Sequence, residues 1–196
     1  MRFIFLLWGS FMVVGCSFEE ETYLPKKRGY HRIELPAHEY QLFDSARVPF
    51  SFEYSKHSVI MPDRSFMTEP FWYEILYPKF SAQISIAYKH IVHPDTLPMY
   101  FNTSSKLTHK HHIKATAIEE YFTQTPFGYA AIIAELEGDV PSTFQWFVTD
   151  SSKHFLRAAL YFPSNTRNDS LAPVIEFVKQ DMMHLLNTVQ WKTKKK

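Results

Sequence analysis

The strongest constraint on the fold is a period of two in the apolar residues, repeated in well-separated segments. In residues 48–54 (VPFSFEY), Val48, Phe50, Phe52 and Tyr54 fall on one face and Ser51 and Glu53 on the other, which predicts a half-buried strand. The same period recurs at Ile84, Ile86 and Tyr88, at Phe144, Trp146 and Val148, and along residues 153–162 (KHFLRAALYF). Residues 71–77 (FWYEILY) and 129–136 (YAAIIAEL) are apolar on both faces and are expected as central strands covered on both sides.

A sheet with two buried faces needs covering layers, and two segments read as helices, one near residues 97–115 and one over 170–189. In the second, Leu171, Val174, Ile175, Val178, Met182, Leu185, Leu186 and Val189 recur at three- and four-residue steps, with Asp169 or Ser170 as cap and Pro173 in the first turn. Met182 and Met183 read as adaptable core filler. Ile33-Glu34-Leu35-Pro36 reads as the opening strand of the domain, and Gly128 and Gly138-Asp139-Val140-Pro141 separate the later strands. No internal repeat is present. The expectation is a single α+β domain over residues 33–192, a mostly antiparallel sheet flanked by helices.

Composition removes several function classes. The 18 Phe, 11 Tyr and 4 Trp fill a sizeable core, and 21% charged residues argue against global disorder. A formal net charge of +1 gives no basic field for nucleic acid. The five glycines, at 9, 15, 29, 128 and 138, build no Gly-rich loop, so Walker A and Rossmann sites are excluded and no cofactor is expected.

The amino terminus has the pattern of a targeting segment. After Met1-Arg2, residues 3–14 (FIFLLWGSFMVV) form an apolar run that stops at Gly15-Cys16, well short of the ~20 residues a membrane-spanning helix needs. Val13-Val14-Gly15-Cys16 resembles the bacterial lipobox. This makes residues 1–15 a lipoprotein signal peptide, Cys16 the lipid attachment site, residues 16–32 the lipidated Cys and tether, and 193–196 a basic tail. Cys16 is the only cysteine, so lipidation leaves no thiol for a disulfide or for catalysis. Several acyl chains on one cysteine hold a membrane far better than a single chain. Glu19, Glu20 and Glu21 either form a solvated spacer or resemble a surface-export signal of Bacteroidetes; the periplasmic face and the cell surface both stay open. The basic stretch 23–32 (YLPKKRGYHR) touches anionic headgroups or acts as a plain linker.

Side chains with chemical potential are scattered. His109, His111 and His112, with His90 and His93, raise the possibility of a metal, but adjacency supplies no three-dimensional ligand set, and solvated histidines are the expectation. Glu135 and Glu137 share a strand face near Asp139. No G-x-S-x-G elbow marks a serine nucleophile, and no catalytic residue is assigned. Asp44-Ser45-Ala46, Asp95-Thr96-Leu97 and Asp169-Ser170-Leu171 match a short pattern resembling Bacteroidetes O-glycosylation sites.

One long ordered set of segments runs through the chain: Pro25-Lys26-Lys27-Arg28-Gly29-Tyr30-His31-Arg32-Ile33, Pro49-Phe50-Ser51-Phe52-Glu53-Tyr54, His112-Ile113-Lys114-Ala115, Gly138-Asp139-Val140-Pro141-Ser142-Thr143-x-Gln145, Asp150-Ser151, Phe155-Leu156-Arg157-x-Ala159-Leu160-Tyr161-Phe162 and Asn168-Asp169-Ser170-Leu171-x-Pro173. On these segments, over residues 24–192, the chain resembles the GldD family of gliding-motility lipoproteins from Bacteroidetes. Lys27 and Ser55 depart from it, each standing where proline is expected. The element order also resembles the PsbP/Mog1-type α/β sandwich. The family resemblance implies a cell-envelope lipoprotein required for gliding and anchored in the outer membrane, whose partners are other gliding-motility lipoproteins and type IX secretion components. It implies a structural or assembly role with no enzymatic activity. Aromatic and Arg positions such as Tyr30, Arg32, Tyr100 and Trp191 either anchor a docking surface or merely cover the core. The alternatives are an envelope ligand- or metal-binding module and, last, an envelope hydrolase.

Overall fold

Burial follows the predicted period closely enough to order the strands. The computed structural model describes residues 33–162 and 168–192, within a unit that runs from His31 to Lys196; the signal segment, Cys16, the tether and the basic tail lie outside the described residues. The strands are β1 (Tyr40–Asp44), β2 (Phe50–Ser55), β3 (Val59–Pro62), β4 (Tyr73–Tyr77), β5 (Ala82–His90), β6 (Ala115–Gln124), β7 (Ala130–Gly138), β8 (Phe144–Thr149), β9 (His154–Tyr161) and β10 (Gln190–Trp191). The helices are α1 (Thr96–His109), followed by a 3₁₀ turn at Lys110–Ile113, and α2 (Asn168–Thr188). Seven strands form one sheet in the order β3-β4-β5-β9-β8-β7-β6, and a small sheet has the order β1-β2-β10. Every neighbouring pair is antiparallel.

The two faces of the large sheet are covered differently. Helix α2 lays Val174, Val178, Met182, Leu185 and Leu186, with Val189 just past its end, against Ile84, Ile86, Ile133, Trp146, Leu156 and Leu160 in one continuous core. On the opposite face, the Phe101 ring of α1 meets Phe147 at 5.1 Å, and Thr108 donates to Gln145 Oε1 at 3.1 Å. Strand β9 is therefore central and buried on both faces, and β8 buries Gln145 beneath α1 as well as Phe144, Trp146 and Val148 beneath α2.

Four expectations need correction. Residues 33–39 are not a strand: Pro36 has no amide to donate, and the segment is held by other donors, Lys79 Nζ to Glu34 O (3.0 Å), His57 Nε2 to Ala37 O (3.0 Å) and Lys56 N to Glu39 O (2.9 Å). Residues 71–77 are not a doubly covered central strand. Strand β4 lies beside the edge strand β3, buries Ile75 and Tyr77 on one face only, and starts after Phe71, which has a φ of 69°. Helix α1 stops at His109 rather than near residue 115, because the chain tightens through the 3₁₀ turn and enters β6 at Ala115. Helix α2 begins at Asn168, so Ser170 lies inside it and Pro173 falls beyond its first turn.

Leu185 is 1% exposed in the α2 core whereas Asn187 is exposed. Leu185→Ala is expected to cost about 2–5 kcal/mol by urea denaturation, and Asn187→Ala less than about 0.5 kcal/mol.

Candidate functional site

The start of α2, the β7–β8 turn and the start of β6 are locked together by backbone geometry. Gly138 has a φ of 101°, and a Cβ there would sit 2.7 Å from Lys114 O and 3.0 Å from Thr116 N, so glycine is needed both for the turn and for the close approach. Asn168 Nδ2 donates to Gly138 O (2.7 Å) and Val140 O (2.9 Å), which ties the start of α2 to that turn. Three of the separated family-like segments, around Lys114, Gly138–Thr143 and Asn168, thus converge.

They wall an open cleft of about 790 Å³ between α2 and the β6–β7 end of the sheet. Five carboxylates line it, Glu119, Glu135, Glu137, Asp139 and Glu176, against two ammonium groups, Lys114 and Lys179. Glu119 and Glu135 are direct cross-strand partners, a like-charge arrangement that costs a few tenths to ~1 kcal/mol. Lys179 relieves part of it by bonding Glu135 Oε2 at 2.5 Å, and the Tyr121 hydroxyl donates to Glu135 Oε1 at 3.0 Å. Burial and Glu135 push that hydroxyl up to about 12. Among the described residues, no histidine, cysteine or serine lines the cleft. Its donor set suits a cationic, hydrogen-bonding ligand.

On the other side of α2 lies a polar network not anticipated from the sequence. The Asp181 side chain, 1% exposed, accepts from the Tyr77 hydroxyl at 2.9 Å and pairs with His38 Nδ1 at 2.6 Å. The His38 ring stacks on Phe177 (4.3 Å), Tyr40 stacks on His184 (3.6 Å), and His184 Nε2 meets Glu53 Oε2 at 2.6 Å. Burial and the Asp181 carboxylate raise the Tyr40 hydroxyl to about 12 and raise Tyr77 as well. The network clamps residues 38–40 to α2. Its signal in the sequence is a carboxylate set between Val178 and Met182 on an otherwise apolar stripe.

The other highlighted residues sort as follows. Glu135, Glu137 and Asp139 are brought together at the cleft. His109 Nδ1 donates to Ser105 O (2.9 Å) and His112 Nδ1 to His109 O (2.7 Å), and among the described residues no three His, Cys, Asp or Glu side chains group as metal ligands would. Tyr100 packs on Phe155 and donates to His90 O, while Trp191 stacks on His154 at 4.9 Å, so both cover the core. Ser45 lies in the β1–β2 turn, Thr96 opens α1 and Ser170 lies within α2. Gln145 and Arg157, both in family-like segments, are hydrogen-bonded to each other under α1. Cys16, Tyr30 and Arg32 lie outside the described residues, as does the Asp169 side chain. No described helix is long and apolar enough to cross a membrane.

Comparison with known proteins gives one sequence family. The family described as gliding motility lipoprotein GldD matches residues 20–191. No curated protein matches the chain. Among solved structures, cyanobacterial PsbP (CyanoP) from Synechocystis sp. PCC 6803 is similar at 9% identity with a TM-score of 0.48, covering 83% of this chain and 98% of its own.

Two expectations follow from the buried groups. Tyr77→Phe strands one side of the Asp181 carboxylate and is expected to cost about 1–3 kcal/mol by urea denaturation; a loss within error would mean Asp181 is held by other partners. Burial lowers the His154 pKa, with His90 and Lys153 adding to it against the pull of Asp150. The unfolded chain then takes up the proton first, so stability is full above the ordinary value near 6.5 and declines as pH falls through it toward the folded value. His154→Gln is expected to narrow the difference in urea midpoint between about pH 7.5 and pH 5.5.

Proposed function

The chain belongs to the GldD family of gliding-motility lipoproteins, and from that premise we propose that it is a non-enzymatic assembly component of the gliding apparatus. In this reading lipid on Cys16 anchors it to the outer membrane, and the folded body docks beside the type IX secretion machinery and other gliding lipoproteins. Membership in the family implies involvement in gliding motility and a membrane-anchored place in the envelope. The observation that carries the reading is the extent of the match, which runs from residue 20 to residue 191 and so takes in most of the tether and nearly the whole folded body. The described surface offers an open cleft lined by carboxylates, which suits the docking of a basic partner.

The test is an in-frame deletion strain complemented with the intact gene or with Cys16→Ala. Loss of spreading, restored only by the intact gene and accompanied by falling levels of other gliding and secretion proteins on immunoblots, is the expected result. Acyl label from palmitate should be present in the wild type and absent from Cys16→Ala, which should accumulate as precursor. Normal spreading of the deletion strain would overturn the motility role; an unchanged labelled band would remove the lipid site.

A further inference from the structure

Strand β6 is a long, exposed sheet edge. It is 10 residues long, pairs with β7 along one side, and has no strand beside its other edge among the described residues. The opposite edge of the same sheet, β3, has only four residues and ends in Pro62. Natural edges are normally kept short, or blunted with proline, charged side chains or a bulge, because their free N–H and C=O groups template pairing with another chain. Strand β6 has an irregular register at Ala115/Ala117 and carries Glu119 and Glu120, but from Ala117 to Gln124 its register is regular, it contains neither proline nor lysine, and Tyr121 and Phe122 are exposed, Phe122 by 66%.

The two faces of that edge differ. Glu119 pairs with Glu135, whose carboxylate reaches Lys179 on α2, so Glu119 and, by alternation, Ala117 and Tyr121 lie on the face of the acidic cleft. Ile118, Glu120 and Phe122 lie on the other face. A strand added to β6 would direct every second side chain toward Glu119 and Glu137 and the alternate ones toward Ile118 and Phe122. At the floor, Thr143 is only 9% exposed, lines the cleft, and its hydroxyl has no hydrogen-bond partner among the described residues.

We propose that the β6 edge and the acidic cleft beside it bind an extended segment of another protein, one that alternates basic and apolar residues and adds to the sheet as an eighth strand. Main-chain hydrogen bonds to β6 supply affinity and the cleft carboxylates select the basic side chains. A second copy of this chain is the wrong occupant, since a centred antiparallel pairing sets Glu119 against Glu119 or Glu120 against Glu120. The proposal rests on the assembly reading only for the partner being an envelope protein.

The test uses full-length isotopically labelled protein in neutral detergent micelles, titrated with a synthetic ten-residue peptide alternating Lys and Val, and with its Glu–Val counterpart. The expected result is shifted and exchange-protected amides within Ala115–Gln124, with at least about tenfold weaker binding of the Glu–Val peptide and weakening at high salt. Glu119→Lys/Glu137→Lys should abolish binding and Glu119→Gln should weaken it, both with the unbound spectrum otherwise retained. Three results would overturn the proposal: no shifts, shifts confined to other surfaces, or β6 shifts that depend on protein concentration without peptide. None of these bears on the deletion phenotype, so this inference and the motility role fail separately.

Discussion

Helix α2 is the interaction on which the rest of the structure depends. Its apolar stripe closes one face of the seven-stranded sheet, and the Trp146 indole, 1% exposed, donates to Met182 O in its middle. Toward its end it also holds the small sheet, through Thr188 Oγ1 accepting from Glu53 N and through the His184–Glu53 pair. Without it, the core faces of β2, β5, β7, β8 and β9 would be open to water. With no cysteine in the folded body, burial and hydrogen bonding supply what a disulfide supplies in many secreted domains.

The same helix divides the surface into two differently built flanks. One carries the His38–Asp181–Tyr77 network, in which both Asp181 carboxylate oxygens have a partner and residues 38–40 are tied to α2. The other carries Glu119 opposite Glu135, an arrangement that lowers stability and is only partly neutralised by Lys179. A structure that satisfies both oxygens of Asp181 and leaves Glu119 facing a like charge sets a structural flank against the flank we propose to bind, in keeping with the common finding that local rules are broken at functional sites.

Legibility in the sequence followed the range of the interaction. The period of two along β2 and β5 and the three- and four-residue steps of α2 are local, and the structure agrees with them. Which strand is central is a matter of sheet order: residues 71–77 are as apolar as a central strand, yet they lie next to an edge, while β9 holds the centre. Residues 33–36 alternate like a strand but find no ladder partner. The cleft was visible only in part, since Glu135, Glu137 and Asp139 are neighbours in the chain while Glu119, Glu176 and Lys179 arrive from other elements. Asp181 was legible as an anomaly on the stripe, but its partners lie 104 and 143 residues away.

The central claim, that this body serves gliding by docking through its acidic flank, is tested most directly in the cell. A chromosomal Glu119→Lys/Glu137→Lys strain would be scored for spreading, with the abundance and acylation of the variant measured in the same cultures. The account predicts that spreading is lost while both stay at wild-type levels. Normal spreading with normal abundance would contradict it.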